Sequence, residues 1–207
     1  VIPFNDLSAA QNVFEKHGDR IAAVILEPIA GHMGCIPPLP GYLEGLRALT
    51  SNHGSLLISD EVMCGFRVAR GSAQELYGVI PDLTTMGKIV GGGLPLAAFG
   101  GRSDVMDELA PKGPVYQAGT LSGNPLAVAA ALATLEMLTP DVYARWEEIG
   151  QGVETRFLKP VESRGLSFHR VGSMWTLFFR PEAPNHFDEV KSCDLEQFGR
   201  FFHSALD

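Results

Sequence analysis

The feature that most constrains the fold is an alternation of strand-like and helix-like segments through the first two-thirds of the chain. Ile21 to Leu26 is a continuous apolar run rich in β-branched residues, which is typical of a strand covered on both faces. Pro40 to Asn52 follows with leucines at nearly helical spacing, and Ser55 to Ser59 is a second strand-like segment. Two further short strands are predicted, at Pro81 to Met86 and Leu96 to Phe99. Strands separated by helices predict an α/β fold with a mainly parallel sheet and helices on both faces.

The pattern changes at Asn124, where the sequence predicts the start of a helix. Asn is a favoured N-cap residue, and Pro125 suits the first helical position. The alanine- and leucine-rich run to Leu138 has high helix propensity, and a more polar helix is predicted from Pro140 to Ser163. The remaining predicted elements are two strands and a helix, at Leu166 to Val171, Met174 to Phe179 and Leu195 to Leu206.

These patterns place a domain boundary near Thr139. Residues 1–139 are then part of a large domain, and residues 140–207 are a linker helix and an incomplete C-terminal small domain. The chain begins without methionine and stops inside an unfinished α/β unit. We therefore expect sequence to be missing at both ends.

Composition narrows the class of protein. Hydrophobic residues make up 45% of the 207 residues and charged residues 19%, which favours a packed core over disorder. A net charge of -8 argues against a nucleic-acid partner, which requires a basic surface. No apolar run reaches the roughly 18–20 residues that cross a bilayer, so we expect a soluble protein with no membrane partner.

The cysteines and histidines indicate neither a disulfide framework nor a metal site. The three cysteines form no CxxC pair, which fits a reducing compartment such as the cytoplasm. The six histidines lack metal-ligating spacing, so no metal is predicted.

Lys88 stands inside LTTMGKIVGGGLP, directly after a predicted strand. The segment is not a phosphate loop, because the Walker pattern places its glycines before the lysine. Gly91 to Gly93 also lack the spacing of a dinucleotide-binding fingerprint. A partly buried lysine has another chemistry, since desolvation favours the neutral amine, which can form a Schiff base with an aldehyde.

Asp60 follows the neighbouring strand, at the edge of the sheet where α/β proteins bind ligands. Its carboxylate must be solvated, paired or hydrogen-bonded, and an ion pair with Arg67 or a helix cap would satisfy it without any ligand. An acid and Lys88 on adjacent strand ends also suit pyridoxal phosphate. The carboxylate would keep the pyridine nitrogen protonated, and the lysine would bind the aldehyde carbon.

The segment Gly119 to Pro125 is a third candidate, because small residues before a helix N-terminus can bind an anion. An ordinary capped helix start is the alternative explanation. Taken with Asp60 and Lys88, the segment favours a cofactor that carries both a phosphate and an aldehyde.

Three segments resemble the class III pyridoxal-phosphate aminotransferases: DEVMCGFR, PDLTTMGKIVGGGLP and YQAGTLSGNPLA. The resemblance covers nearly the whole chain, including EPIAGHMG and GSMWTLFF. It implies the fold-type I architecture, with a three-layer α/β/α large domain. TLSGNP, YQAG and DLTTMGK are most similar to the branch of the family that converts glutamate-1-semialdehyde to 5-aminolevulinate.

The resemblance implies a role for each matching residue. Lys88 would bind the pyridoxal or pyridoxamine phosphate cofactor and move protons between the substrate and the cofactor. Asp60 would pair with the pyridine nitrogen, and Val62 would pack on the ring. Thr120, with Gly119, would reach the cofactor phosphate of the other subunit, so that a homodimer shares its active sites.

Other positions either depart from the family pattern or have a structural explanation. By resemblance, His32 would lie near the ring hydroxyl of the cofactor, where family members usually carry Asn, and Cys64 matches a position where Thr is common. Gly91 to Gly93 would either give clearance for the cofactor or form a turn. Glu27 and Arg67 match family positions, and we interpret them as members of structural ion pairs.

The implied partners are a small-molecule substrate, a second copy of the chain and the enzyme that supplies glutamate-1-semialdehyde. The implied location is the cytoplasm, or the plastid stroma of a photosynthetic eukaryote. Two alternatives stay open: an ω-amino-acid aminotransferase with a separate keto-acid acceptor, and a non-catalytic fragment or relative. The phosphate-binding turn and gating loop of the family are not found here, so the chain would supply only the lysine half of the site.

Overall fold

The structure is a computed structural model that describes residues 1–206. It contains helices at α1 (Leu7–His17), α2 (Tyr42–His53), α3 (Ser72–Tyr77), α4 (Ser103–Met106), α5 (Pro125–Met137), α6 (Pro140–Glu162), α7 (Phe187–Val190) and α8 (Leu195–Ser204). The strands of the main sheet are β1 (Ala23–Leu26), β2 (Leu56–Asp60), β3 (Leu83–Met86) and β4 (Ala98–Gly101). A separate hairpin consists of β5 (Ser167–Val171) and β6 (Met174–Phe178).

The main sheet has the strand order β1-β2-β3-β4, in which β1, β2 and β3 are parallel and β4 is antiparallel to β3. The predicted mainly parallel α/β sheet is therefore confirmed. The carboxyl ends of three parallel strands meet at one edge, which is the edge where α/β proteins bind ligands. The strand register at this edge places Asp60 opposite Thr85.

One face of the sheet carries the largest core cluster. Leu57 of β2 packs with Leu43 and Leu46 of α2 and with Ala10 of α1. Helix α2 agrees with the predicted segment to within two residues and ends at Gly54, whose φ of 68° is the left-handed conformation of a helix C-cap. Helix α1 was not predicted.

The other face of the sheet is less covered. Ile25 of β1 is 62% exposed, although the apolar run around it predicts a strand covered on both faces. That expectation is wrong for β1 in residues 1–206, because no helix of the described part packs over Ile25.

The buried carboxylate of Asp82 links the main sheet to α2 and to the residue that follows β4. Asp82 is 4% exposed and accepts hydrogen bonds at 2.8 Å from Arg47 of α2 and at 2.8 Å from Arg102 beyond β4. It also accepts the backbone N–H of Leu57 at 2.7 Å. Burial alone would raise the pKa of Asp82, but these donors outweigh burial and hold the pKa below its ordinary value of 3.8.

Replacing Asp82 by asparagine should therefore lower the free energy of unfolding at pH 7 by about 1–3 kcal/mol, because charged hydrogen bonds are lost. The lowered pKa means that this stabilisation is complete above about pH 4 and is lost as the pH falls further. The difference between Asp82→Asn and the wild type should thus shrink toward pH 3 in urea unfolding. Asp104→Asn is the matched control: Asp104 also binds Arg102, but it is exposed, so its replacement should leave the stability nearly unchanged.

The C-terminal region begins with two predicted helices that the structure confirms as α5 and α6. Oδ1 of Asn124 accepts the N–H groups of Leu126 and Ala127, both at 3.1 Å, so the predicted N-cap is present. The helix predicted at the C-terminal end of the chain is also present, as α8.

The strands β5 and β6 confirm the two predicted strands and pair antiparallel. Met174 packs with Ile29 and Cys64, and Phe178 packs with Ile36, so residues on both sides of Thr139 share core clusters. The domain boundary stays a prediction. Asp207, the last residue of the predicted second domain, lies outside the described residues.

Within residues 1–206, no single helix is long and apolar enough to cross a bilayer. The helices α5 and α6 pass such a test only as a pair, which is bent by 75°. The same residues contain no cluster of His, Cys, Asp or Glu side chains that could hold a metal ion.

Candidate active site

Asp60 ends β2 at the ligand-binding edge of the sheet. Its Oδ1 accepts the N–H of Val62 at 3.0 Å and the hydroxyl of Thr85 at 3.2 Å. No protein group within residues 1–206 donates to Oδ2, so one carboxylate oxygen can accept a hydrogen bond from a ligand. The alternative ion pair with Arg67 is absent from the described residues, since Nε of Arg67 instead donates to the carbonyl of Met63 at 3.0 Å.

Lys88 begins a 3-10 turn, Lys88–Gly91, directly after β3. It lies three residues beyond Thr85, which faces Asp60 in the sheet, so the two candidate residues stand on adjacent strand ends. The φ of Lys88 is 51°, a left-handed conformation that costs a non-glycine residue about 1–2 kcal/mol. Strain of this kind is concentrated at functional sites.

The side chain of Lys88 is exposed and makes no hydrogen bond or ion pair within residues 1–206. The expectation of a partly buried lysine is therefore wrong for this chain, because its own residues leave the amine open to solvent. The amine is therefore accessible to an incoming ligand.

Val62 contacts the segments of both Asp60 and Lys88, and its N–H donates to Oδ1 of Asp60 at 3.0 Å. A Cβ atom placed on Gly87 would be 3.3 Å from Cγ1 of Val62, so the valine packs against the residue that precedes Lys88. An apolar side chain therefore lies beside Asp60 and the residue before Lys88, where an aromatic ring could pack on it.

Among the glycines that follow Lys88, Gly92 packs against α5. Gly92 has a φ of 59°, and a Cβ there would lie 2.4 Å from Oγ1 of Thr134 and 2.8 Å from the carbonyl oxygen of Ala130. Gly92 therefore allows the turn to pack closely on α5. The turn explanation is thus confirmed for Gly92, and clearance for the cofactor stays a prediction.

Replacing Gly92 by alanine should lower the free energy of unfolding by about 2–3 kcal/mol, because the new methyl group meets a helix backbone and the conformation is left-handed. Gly93 has a φ of 89° but open space around it, so Gly93→Ala isolates the cost of backbone strain, about 1 kcal/mol. Urea unfolding of both variants measures the difference. Equal losses would show that Gly92 does not contact α5 as described.

The turn after β1 holds Glu27 and His32. Oε1 of Glu27 lies 2.7 Å from Nδ1 of His32, and Oε2 accepts the N–H of Gly31 at 2.9 Å. Glu27 is thus hydrogen-bonded to His32, and its interpretation as a member of a structural ion pair stays a prediction. The pairing expected for Arg67 is wrong, since Arg67 forms no ion pair within residues 1–206.

Glu61 was missed by the sequence reasoning, although it directly follows Asp60. It is fully buried and accepts the N–H of Ala73 at 2.9 Å and the N–H of Gln74 at 3.2 Å. The thiol of Cys64 donates to it at 3.1 Å, which is the kind of bond that a threonine hydroxyl could also donate. Burial and the neighbouring Glu61 raise the pKa of the Cys64 thiol, so it stays protonated. Glu61 fixes the loop after β2.

Gly119 and Thr120 lie in an exposed turn before α5. Within residues 1–206, neither is hydrogen-bonded to Asp60 or Lys88; the carbonyl of Gly119 accepts the N–H of Ser122 at 3.0 Å. Their assignment to a phosphate stays a prediction.

The residues present fit pyridoxal phosphate. One oxygen of Asp60 is available for a pyridine N–H, the amine of Lys88 is available for an aldehyde, and Val62 supplies an apolar surface that contacts both segments. The fit rests on the availability of these groups and on their adjacent positions at the sheet edge.

Comparison with known sequences agrees with this chemistry. The family described as Aminotransferase class-III matches residues 4–182. A curated relative, glutamate-1-semialdehyde 2,1-aminomutase from Myxococcus xanthus (strain DK1622), is 52% identical over 99% of this chain and 48% of its own length. Glutamate-1-semialdehyde 2,1-aminomutase 2 from Brevibacillus brevis is 52% identical over 100% of this chain and 49% of its own length. The chain thus spans about half the length of the curated relatives it matches.

Solved structures confirm the fold-type I prediction. A β-phenylalanine aminotransferase from Variovorax paradoxus has a TM-score of 0.87 at 36% identity, over 94% of this chain and 46% of its own. A glutamate-1-semialdehyde aminomutase from Pseudomonas aeruginosa PAO1, solved in complex with PMP, has a TM-score of 0.81 at 27% identity, over 93% of this chain and 45% of its own. The chain belongs to the class III aminotransferase family.

Proposed function

We propose that this chain supplies the lysine half of the active site of an enzyme that converts glutamate-1-semialdehyde to 5-aminolevulinate, the precursor of tetrapyrroles. The observation that carries the proposal is the placement of Asp60 and Lys88 on adjacent strand ends, with Val62 in contact with both segments. The 52% identity to curated aminomutases supports this substrate.

Asp60 and Lys88 would have different roles in the reaction. The cofactor, when bound, supplies an electron sink for negative charge that develops on a neighbouring carbon. Oδ2 of Asp60 would accept the pyridine N–H and keep that nitrogen protonated. Lys88 would bind the cofactor and then hold and move protons at the two carbons that exchange the amino group.

A homodimer is the second part of the proposal. Helix α5 and the segment before it expose large apolar side chains at Val115, Tyr116, Leu121, Leu126, Leu132 and Met137. Large apolar side chains exposed in this number favour an interaction site, and a second copy of the chain would cover them. Thr120 and Gly119 lie within this surface, from which they could reach a phosphate in the other subunit.

We also propose a substrate, a partner and a cellular location for the enzyme. The substrate is a small amino aldehyde, and the enzyme that makes it is the proposed transient partner. We place the reaction in the cytoplasm, or in the plastid stroma of a photosynthetic eukaryote.

A second candidate is an aminotransferase that uses a separate keto-acid acceptor. The specific observation in its favour is that the β-phenylalanine aminotransferase has the higher TM-score, 0.87 against 0.81 for the aminomutase of Pseudomonas aeruginosa. The third possibility, a non-catalytic fragment, predicts that the isolated chain never forms a coloured complex with pyridoxal phosphate.

The test is turnover by the protein at its full natural length. With glutamate-1-semialdehyde as the sole substrate and no added keto acid, 5-aminolevulinate should form over many turnovers. Formation of product only after addition of pyruvate or 2-oxoglutarate would exclude the aminomutase and favour the aminotransferase.

A further inference from the structure

Arg67, in the loop after β2, has a guanidinium group that is mostly free to bind a ligand. Its Nε donates to the carbonyl of Met63 at 3.0 Å, which fixes one edge of the group. Within residues 1–206, Nη1 and Nη2 have no hydrogen-bond partner and no carboxylate pairs with them, although the residue is only partly exposed. An arginine carries a permanent charge, and its planar fork of N–H groups fits a carboxylate in two parallel hydrogen bonds.

The loop holds Arg67 in a fixed place through the residue before it. Phe66 has a φ of 56°, a left-handed conformation that is unfavourable for a side chain of this size. Its N–H donates to the hydroxyl of Ser72 at 3.1 Å, and its carbonyl accepts the hydroxyl of Tyr143 of α6 at 3.0 Å. Backbone strain that neighbouring groups maintain in this way is concentrated at functional sites.

Arg67 lines an open cleft of about 320 Å³ between the loop after β2 and the hairpin of β5 and β6. Met63 lines the same cleft from the loop, and Ser173 and Thr176 line it from the hairpin. Arg67 is the only charged residue in this lining within residues 1–206. The cleft therefore favours an anion, to which the two hydroxyl groups can also donate hydrogen bonds.

Arg67 also lines a second cavity, of about 630 Å³, next to the turn that Lys88 begins. Ile89, which directly follows Lys88, lines this cavity, and so does Trp146 of α6. Neither Lys88 nor Asp60 is part of its lining, so a group bound to Arg67 leaves both of them free for a cofactor. Apolar walls beside a single cation suit a short carbon chain that ends in a carboxylate.

We propose that Arg67 binds the carboxylate of the substrate and makes the enzyme specific for amino compounds that carry one. The inference rests on the proposed function and extends it to a binding residue. Glutamate-1-semialdehyde reacts at its aldehyde carbon and at the carbon that bears the amine, and its carboxylate lies at the far end of the chain. The reaction leaves the carboxylate unchanged, so Arg67 holds substrate and product alike. Loss of such uniform binding raises KM more than it lowers kcat.

The experiment uses the protein at its full natural length, loaded with pyridoxal phosphate, and follows ligand binding by the visible absorbance of the cofactor. The two ligands are 5-aminolevulinate and 1-aminobutan-2-one, which is the same amino ketone without the carboxylate. Arg67→Met removes the charge and should weaken binding of 5-aminolevulinate by about 10- to 100-fold, with no change for 1-aminobutan-2-one. Arg67→Lys should recover part of the loss, because it restores the charge but not the fork. Arg70→Met is the matched control, at an exposed arginine of the same loop, and should change neither affinity.

The ratio of the two affinities within one variant does not depend on how much of the protein is folded. Equal weakening for both ligands in Arg67→Met would show that Arg67 only supports the loop, and would overturn the inference. Weaker binding of pyridoxal phosphate with an unchanged ligand ratio would assign Arg67 to the cofactor phosphate, and would overturn it as well. In both cases the wild type would still turn over glutamate-1-semialdehyde. A wild type without that turnover would overturn the proposed function itself, and the inference with it.

Discussion

Replacing Lys88 by alanine is expected to lower the turnover of glutamate-1-semialdehyde by a factor of about 10²–10⁴, which is the usual contribution of a positioned general acid and base. The reason is the place of Lys88, whose amine is open to a ligand at the strand end next to Asp60. The fold should survive, because the Lys88 side chain makes no hydrogen bond or ion pair within residues 1–206. Steady-state kinetics and urea unfolding of the same preparation measure the two effects.

The control for this variant is Lys112→Ala, since Lys112 is exposed and pairs only with the exposed Asp107. Its turnover should match the wild type. A further variant, Lys88→Gly, should be at least as stable as Lys88→Ala, because glycine adopts the φ of 51° without strain. If Lys88→Ala retained full turnover, Lys88 would have no catalytic role.

Replacing Asp60 by alanine is expected to lower turnover by about 10²–10³, the usual cost of losing one oriented electrostatic partner in an active site. Binding of pyridoxal phosphate should weaken by about 10- to 100-fold, since a hydrogen bond to a charged group is lost. Both effects follow from Oδ2, which no protein group within residues 1–206 engages.

Asp60→Asn removes the negative charge of the side chain but keeps its size and shape. Asparagine can still bind Val62 N–H and Thr85, but it has no charge to keep a pyridine nitrogen protonated. Its turnover should therefore fall nearly as far as that of Asp60→Ala, while its stability stays closer to the wild type. Thr85→Val, which removes only the neighbouring hydroxyl, should have a small effect on turnover. A loss in Thr85→Val as large as that in Asp60→Asn would argue that the loop geometry matters rather than the charge.

The parallel part of the fold could be predicted because its strands are short apolar runs between helical patterns. The direction of β4 could not, because a segment of four residues carries no information about its pairing. Helix α1 does carry a signal, with Asp6 capping the N–H of Ala9 at 2.8 Å and buried Ala10 and Phe14 at helical spacing. The exposure of Ile25 could not be predicted. A run of apolar residues shows that a strand has side chains suited to burial, but it does not show whether another element packs over them.

Asp60 and Lys88 could be predicted because each has a reactive or charged side chain and each follows a strand that the sequence pattern shows. Its supporting contacts were not predicted, because they join residues far apart in sequence. Gly92 lies against Ala130, a contact between a turn and a helix that no local pattern shows. Glu61 and Asp82 are buried carboxylates whose donors come from other elements. The acidic pair at positions 60 and 61 is the one local signal that could have indicated Glu61.

The central claim is that Lys88 binds the cofactor covalently. The most direct measurement is reduction of the protein, at its full natural length and loaded with pyridoxal phosphate, with borohydride, followed by proteolysis and mass spectrometry. The result we predict is a phosphopyridoxyl group on the peptide that contains Lys88, absent from Lys88→Ala and present in Lys112→Ala. A label on a different lysine, or none on a protein that turns over its substrate, would contradict the claim.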